Sequence, residues 1–390
     1  MIFFCAVLMI LCMAYGMALL WLAGGLRSGR RAQLSHLQSL HPENLPAVTI
    51  VVCARNEEKN LRDLLPALAR QNYPTTKLEI FLVDDRSTDG TAELCLAFAA
   101  QHPVARYFRV DDTLPDFAPK KRAIDLAVRH ARGEIILLTD ADGSPGENWA
   151  QAMARPLRGQ AAIACGYSPY HPRTTLWQKS LALEYFSHAA VAAGSIGAGR
   201  PLTCTGSNLA YRREAFFAVN GFEGIAHWIS GDDDLLLHKM HAQLAGGIVY
   251  VADTAAHVPV KPPARWRDFH AQRTRYASKG RIYRWQVVLA LAGVYLLNLL
   301  LCLGAMAILW GRFSVFAFTL FCGALKAVCE YAYLRQAAAW FEEKSLLPSF
   351  GLAALFHPFY LVYFSTRAQF AEFSWRGERY AARTSDAPNH

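Results

Sequence analysis

The sequence predicts an α/β domain on a mostly parallel, doubly wound sheet, flanked by transmembrane helices. Three observations predict it. Between residues 46 and 285, buried-strand runs alternate with amphipathic helical runs, the pattern of a parallel sheet covered on both faces. Residues 1–24 carry no charge and are long enough to cross a bilayer. Further apolar stretches near 286–310, 313–334 and 346–366 close the chain. The 390 residues are 53% hydrophobic, with the excess concentrated at the two ends.

The opening segment, "MIFFCAVLMILCMAYGMALLWLAG", has no basic region before its apolar core and no small-residue cleavage site after it, which predicts a retained anchor over residues 1–26. Arg27, Arg30 and Arg31 follow and favour a cytoplasmic location for what comes next. "AVTIVVCARNEEKNLRDLLPAL" reads as a buried strand, a polar turn and a helix with Leu61, Leu64, Leu65 and Leu68 at helical spacing. "KLEIFLVDDRSTDGTAELCLAFAA" repeats that plan, and "KKRAIDLAVRHARGEIILLTDAD" gives a helix and a third strand. No G-x-G-x-x-G opens the first helix, so an ordinary dinucleotide site is unsupported.

In the closing region (286–366), Lys326 and Glu330 are spaced to pair on one helix face. Three full spans there would leave the tail (367–390) outside, whereas its Arg367, Arg376, Arg379 and Arg383 argue for inside. "LFHPFYLVYF", with His357-Pro358 in it, is therefore the candidate for a re-entrant or interfacial segment.

The formal charge of +9 is uneven: between Lys261 and Arg284 there are eight Lys/Arg and one acid, Asp268. Such a belt just before an apolar span suits a membrane surface with anionic lipids, and the membrane-bracketed chain argues against nucleic acid as the partner. The nine cysteines include no C-x-x-C pair, and several lie in apolar runs, which reads as reduced and structural. His238, His241, His257 and His270 form no metal-ligand pattern and read as surface or structural residues.

Chemistry is suggested where the strands end. In "EIILLTDADGSP", Asp140 and Asp142 stand two apart, and in extended geometry they point the same way, at the carboxyl end where open sheets collect ligands. Two such charges repel unless a cation lies between them, and a divalent metal carrying phosphate oxygens answers that need. In "VDDRSTDG", helix capping accounts for Ser87 or Asp89 but not for a strand that ends in the adjacent carboxylates Asp84 and Asp85.

In order, "VVCARNEEKNL", "VDDRSTDGT", "KKRAIDLA", "GEIILLTDADGSP", "GSNLAYRREAF", "GDDDLLLHKM" and "QRTRY" resemble the motif set of family-two inverting glycosyltransferases, over about residues 46–285. The resemblance implies a GT-A fold, a nucleotide-diphosphate sugar donor and a divalent metal, Mg²⁺ or Mn²⁺. It implies that the turn from Ala54 to Glu57, with Asp84 and Asp85, holds the nucleoside. Lys120 would lie near the diphosphate, and Asp140 and Asp142 would form the D-x-D pair, Asp142 being the direct metal ligand. Gly206 and Asn208 would belong to the acceptor-side loop, although a plain turn before a helix near Arg213 explains that stretch equally well. "SGDDDLLLHKM" would supply the catalytic base: Asp233 on the family pattern, Asp232 if the following leucines set the register. A helix N-terminus enriched in acids accounts for one or two of these aspartates.

"QRTRY" keeps Gln272 and Arg275 of the familiar Q-x-x-R-W, with Arg275 suited to clamping a diphosphate, and replaces the tryptophan by Tyr276. That replacement favours single-sugar transfer over the alternative, a processive polysaccharide synthase. A sugar nucleotidyltransferase also uses metal and aspartates but leaves the Q-x-x-R remnant and the membrane segments unexplained. The expectation is a multi-pass enzyme of the cell (inner or plasma) membrane, catalytic domain cytoplasmic, acting on a lipid or lipid-linked acceptor.

Overall fold

The computed structural model describes residues 1–39, 45–111, 114, 116–244, 246–263, 265–278, 283, 285–370, 373–375 and 378–380. Arg281, Arg284, Arg376 and Arg383, counted above in the basic belt and tail, lie outside the described residues.

The first helix, α1 (Ile2–Ser39), does not stop with its apolar segment but continues through the polar residues beyond Arg27. The alternation then follows: β1 (Val48–Ala54), α2 (Glu58–Ala69), β2 (Leu78–Asp85), α3 (Thr91–Gln101), β3 (Ala105–Val110), α4 (Pro119–His130) and β4 (Ile135–Asp140). After these come α5 (Trp149–Ala154), β5 (Ala161–Gly166), α6 (Leu176–Gly197), β6 (Leu209–Arg212), α7 (Arg213–Ala218), α8 (Asp234–Gln243) and β7 (Gly247–Val251). The chain closes with α9 (Trp266–Ser278), α10 (Trp285–Met306), α11 (Phe313–Trp340), α12 (Phe350–Arg367) and a short hairpin, β8 (Phe373–Trp375) and β9 (Glu378–Tyr380).

The seven-stranded sheet has the order β3-β2-β1-β4-β6-β5-β7. Its β3-β2-β1-β4 half is parallel, β6 is antiparallel to both its neighbours, and β7 returns parallel to β5. Alternation of side chains sorts the strands onto two cores. Val51, Phe81, Val83, Ile136 and Leu138 face α4 and α6. Val48, Ile50, Val52, Leu78, Leu82 and Leu137 face the leucines of α2, Phe98 of α3 and Trp149 of α5.

The sequence reading names β1, β2 and β4 and misses the sheet's other four strands, β3, β5, β6 and β7; two of these have an evident local reason, β3 and β6. The first is an edge strand, half exposed, so "ARYFRV" lacks a continuous apolar run. The second is four residues long, and it runs directly into α7, which begins at Arg213 where a helix was expected.

Four helical segments among the described residues are long and apolar enough to cross a membrane: Ile2–Leu34, Trp285–Trp310, Phe313–Trp340 and Lys344–Arg367. α1 and α11 lie side by side in parallel. Tyr15 Oη donates to Glu330 at 2.7 Å, and the Gln336 side-chain amide donates to the Ala23 carbonyl at 2.8 Å. Lys326 Nζ pairs with Glu330 at 2.8 Å, one turn apart, so the charges in this apolar helix neutralise each other. α1 also crosses α6 with backbones nearly touching: a Cβ on Gly25 would overlap the Gly194 carbonyl, and one on Gly197 would overlap the Gly25 carbonyl.

Candidate active site

The carboxyl ends of β1, β2 and β4 open onto a cleft of about 190 Å³, closed on its far side by α9. Its near wall is the end of β1. Ala54 and Arg55 line it, after which Asn56 turns the chain in the left-handed region (φ 54°). Glu57 does not reach the cleft. It is buried at the start of α2, where its carboxylate accepts from Asn60 at 2.7 Å and its amide donates to Thr91 at 2.8 Å. At the end of β2 the adjacent acids diverge, as strand geometry requires. Asp85 lines the cleft and pairs with Arg86 at 2.9 Å. Asp84 is turned away and fully buried, accepting from the Ser87 amide at 3.0 Å and Tyr107 Oη at 3.1 Å. Asp89 and Ser87 serve the turn: Asp89 accepts from the Glu58 amide at 3.2 Å and Ser87 Oγ from the Asn56 amide at 2.9 Å.

The strand β4 ends on Asp140 rather than persisting to Asp142, because the Gly143 amide turns back to the Asp140 carbonyl at 3.0 Å. Both carboxylates nevertheless line the cleft. Lys120 Nζ lies 2.8 Å from Asp140 Oδ1 and 2.8 Å from Asp232 Oδ2, bridging the strand end to the loop before α8. Burial alone would push this ammonium down. The two carboxylates outweigh it and hold Lys120 well above the ordinary lysine range. Asp142 is exposed at the cleft, yet desolvation by the surrounding walls, reinforced by Asp140, raises its carboxyl to about 6. It is the one acid of the pair without the bridging lysine at its side, so it gains most from a second cation.

The neighbouring Lys121 points the other way. Buried, it donates to the carbonyls of Ile225, Trp228 and Ser230 at 2.6, 2.8 and 3.1 Å, stapling the loop that leads to the aspartates. Gly231 (φ 88°) makes the turn that only glycine takes easily. Asp233 then caps α8, accepting from the Asp234 amide at 2.7 Å and from the Gly206 amide at 3.1 Å. Gly206 lies close under the ion pair: a Cβ there would stand 3.0 Å from Asp232 Oδ2 and 3.3 Å from Lys120 Nζ, so those side chains would have to give way by a few tenths of an ångström.

Asn208 does not line the cleft. It is 0% exposed, donates to the Tyr167 and Ala256 carbonyls at 2.9 and 2.7 Å, and accepts from Trp149 Nε1 at 2.9 Å. With its amide fully engaged it is a scaffold beneath the Gly206 loop, which corrects the expectation that ties it to an acceptor.

On the far wall, α9 presents Gln272, Arg275 and Tyr276. Tyr170, stacked on Tyr185 at 4.3 Å between ring centroids, donates to Gln272 Oε1 at 3.1 Å. Tyr276 lies under Arg273 and Arg275, 5.5 and 5.1 Å from its ring centre. Arg273, the unremarked second residue of "QRTRY", is buried and ion-paired with Glu184 of α6, whose other oxygen accepts from Tyr360 of α12 at 2.9 Å. Sequence reasoning missed Arg55, Tyr170, Tyr185, Ser207 and Lys261 as lining residues. Arg55 and Ser207 had a signal, standing inside motifs already singled out, and Lys261 opened the basic belt; Tyr170 and Tyr185 had none.

Among the described residues no cluster of three or more His, Cys, Asp or Glu could hold a metal by itself. Two hard carboxylate oxygens beside an open cleft fit an ion of the Mg²⁺ or Mn²⁺ kind, which takes its remaining ligands from water and phosphate.

Residues 49–217 match the glycosyl transferase family 2, and residues 135–329, half of the chain, match glycosyl transferase family group 2. Among curated proteins, the chain is 28% identical over 122 residues to glycosyltransferase AglE of Haloferax volcanii, covering 31% of this chain and 39% of that one. It is 23% identical over 282 residues to the beta-monoglucosyldiacylglycerol synthase of Synechocystis, covering 67% and 56%. A dolichyl-phosphate beta-glucosyltransferase of Trichomonas vaginalis, ALG5C, is 36% identical over 122 residues, covering 30% and 35%. The chain thus spans about half, or less, of the length of these relatives. Among solved structures, the mannosyltransferase PcManGT of Pyrobaculum calidifontis, in complex with GDP-Man and Mn²⁺, superimposes with a TM-score of 0.54 at 20% identity, over 91% of this chain and 99% of that one. Sheet order, cleft and sequence matches agree, and the chain belongs to the family-2 glycosyltransferases, with a GT-A fold.

Proposed function

We propose that this protein transfers a sugar from a nucleotide diphosphate to a lipid-borne hydroxyl, with inversion, at the cytoplasmic face of a membrane. The observation that carries the reading is the double ion pair of Lys120 with Asp140 and Asp232, which ties the donor side of the cleft to the loop bearing Asp233. Ala54, Arg55 and Asp85 receive the nucleoside, Arg275 clamps the diphosphate, and Gln272 is oriented towards the leaving group by Tyr170. Asp142, with Asp140, would hold Mg²⁺ or Mn²⁺. The bound ion would neutralise charge on the leaving diphosphate.

Inversion in one displacement needs a carboxylate on the acceptor side. Asp232 is already engaged, its Oδ2 paired with the Lys120 ammonium at 2.8 Å. Asp233, oriented by two backbone amides, takes the acceptor proton. A lipid acceptor is supported by the helices at both ends of the cleft domain and by relatives whose names give a glucosyldiacylglycerol product and a dolichyl-phosphate acceptor.

The test is calorimetric titration of a nucleoside diphosphate with and without Mn²⁺. Binding is expected to require the ion and to weaken at least tenfold in Asp142→Asn. Binding that ignores both would overturn the reading.

A further inference from the structure

Of the four apolar segments, α12 lies differently from the others. α10 and α11 run antiparallel, with Gly304 against Thr319 and Gly323 against Leu301, so residue 295 of α10 is level with about residue 328 of α11. α12 begins with Phe350 against Tyr331 of α11, ring centres 5.2 Å apart. It ends with Thr366 Oγ1 2.9 Å from Tyr295 Oη of α10. Its two ends therefore stand within about three residues of the same level, about 5 Å, while the helix between them is about 24 Å long. A spanning helix would climb about 30 Å.

Its partners agree. Tyr360 reaches Glu184 of α6, Phe364 packs on Phe269 of α9 at 5.7 Å, and His270 Nε2 lies 2.9 Å from Tyr363 Oη. A helix leaving through the bilayer would part from the catalytic domain, whereas α12 stays against it to its last turn.

We infer that α12 lies in the plane of the membrane surface, on the catalytic side, and does not cross. Its outer face is apolar at helical spacing: Leu352, Leu355, Phe356, Phe359 and Tyr363 are 40–65% exposed. That face continues through His270 to Trp266, whose ring lies 6.4 Å from that of Trp177, tilted against it, both more than half exposed. Arg265, Arg267, Lys344 and Arg367, all exposed, border it. Tryptophan beside cations around an apolar strip is the composition of a surface seated at the headgroup level, and it is continuous with the α10–α11 pair that enters the bilayer. The occupant is thus a lipid surface. The chain crosses three times, and Arg367 and the tail return to the side of the catalytic domain, which removes the conflict between span count and tail charge.

This rests on the membrane-bound reading above, but its readouts are independent of sugar transfer. A nitroxide amino acid is placed singly at 352, 355, 359 and 363 of the full chain in liposomes, and depth is read from relaxation by oxygen and by a nickel chelate. One shallow depth common to all four positions is expected. A profile that reaches the bilayer centre and returns would overturn the inference. Shielding from both relaxants would mean that a second protein surface covers this face, and also overturns it. Access to the nickel chelate alone would remove the membrane from the face altogether. An epitope placed after His390 is expected on the same side of sealed vesicles as the catalytic domain. Its appearance on the opposite side would sink the inference independently.

Discussion

Asp232 and Asp233 are adjacent in sequence but differ in what holds them, and that difference makes the base assignment testable. Asp233→Asn keeps the size of the side chain and removes the proposed proton acceptor. It is expected to cut kcat by about 10²–10⁴-fold with donor affinity nearly unchanged. Asp232→Asn instead loosens Lys120, and should weaken donor binding along with turnover. Isothermal binding beside single-turnover kinetics separates the two; the reverse assignment of phenotypes would exchange their roles. A third residue acts at one remove. Glu184→Gln leaves the Arg273 guanidinium buried without its carboxylate, a change that costs about 3–5 kcal/mol when a buried pair is broken. Thermal stability should fall, and donor KM should rise because Gln272 and Arg275 ride on the same helix. Stability loss with unchanged KM would make the pair merely structural.

At the scale of elements, the glycines between α1 and α6 set how closely these helices pack. Gly25→Ala inserts a methyl group into the Gly194 carbonyl and is expected to cost about 1–3 kcal/mol or more through overpacking. Gly24→Ala, one residue earlier, meets nothing closer than the Arg27 side chain at 3.9 Å and should be neutral. Monodispersity and melting of the detergent-solubilised protein compare them directly. The same scale explains what could be read in advance. The units β1–α2, β2–α3 and α4–β4, with strong apolar periodicity, were legible because local pattern and tertiary burial agree there. The lining tyrosines Tyr170 and Tyr185 were not, since they come from a loop and from a helix whose partner is a membrane segment, and no local period marks them. Nor does the sequence say which of two like neighbours turns inward. Lys120 enters the cleft and Lys121 staples a loop; Asp85 enters and Asp84 is buried behind it. Such choices are made by the sheet edge as a whole. Asn208 is the opposite lesson: a polar residue in a motif whose work is to satisfy carbonyls and an indole in the core.

For the whole molecule, the belt from Lys261 to Arg284 contains the cleft helix α9 and ends just before the first of the closing spans. Each Lys or Arg near an anionic surface is worth about 1 kcal/mol. Neutralising Arg265, Arg267, Arg281 and Arg284 together is expected to raise the apparent acceptor KM in anionic liposomes, with donor affinity little changed because Gln272 and Arg275 are untouched. Added salt should mimic the variant by screening. Equal activity of both proteins on a water-soluble acceptor analogue and on a bilayer-embedded one would reduce the belt to a topology signal.

The continuity of α1 carries a mechanical consequence. Its 38 residues make a rod of about 57 Å, against a hydrocarbon core of about 30 Å, and glycine-to-glycine contact with α6 fixes its protruding part to the catalytic domain. A domain hung on a flexible linker samples many heights above the bilayer. One keyed to a rigid rod works at a single stand-off, like a tool on a fixed post. With the proposed lipid-borne acceptor, selection would then include a length criterion: a hydroxyl would be served when its headgroup holds it at that height, and a headgroup taller by one sugar would present its hydroxyl beyond the cleft.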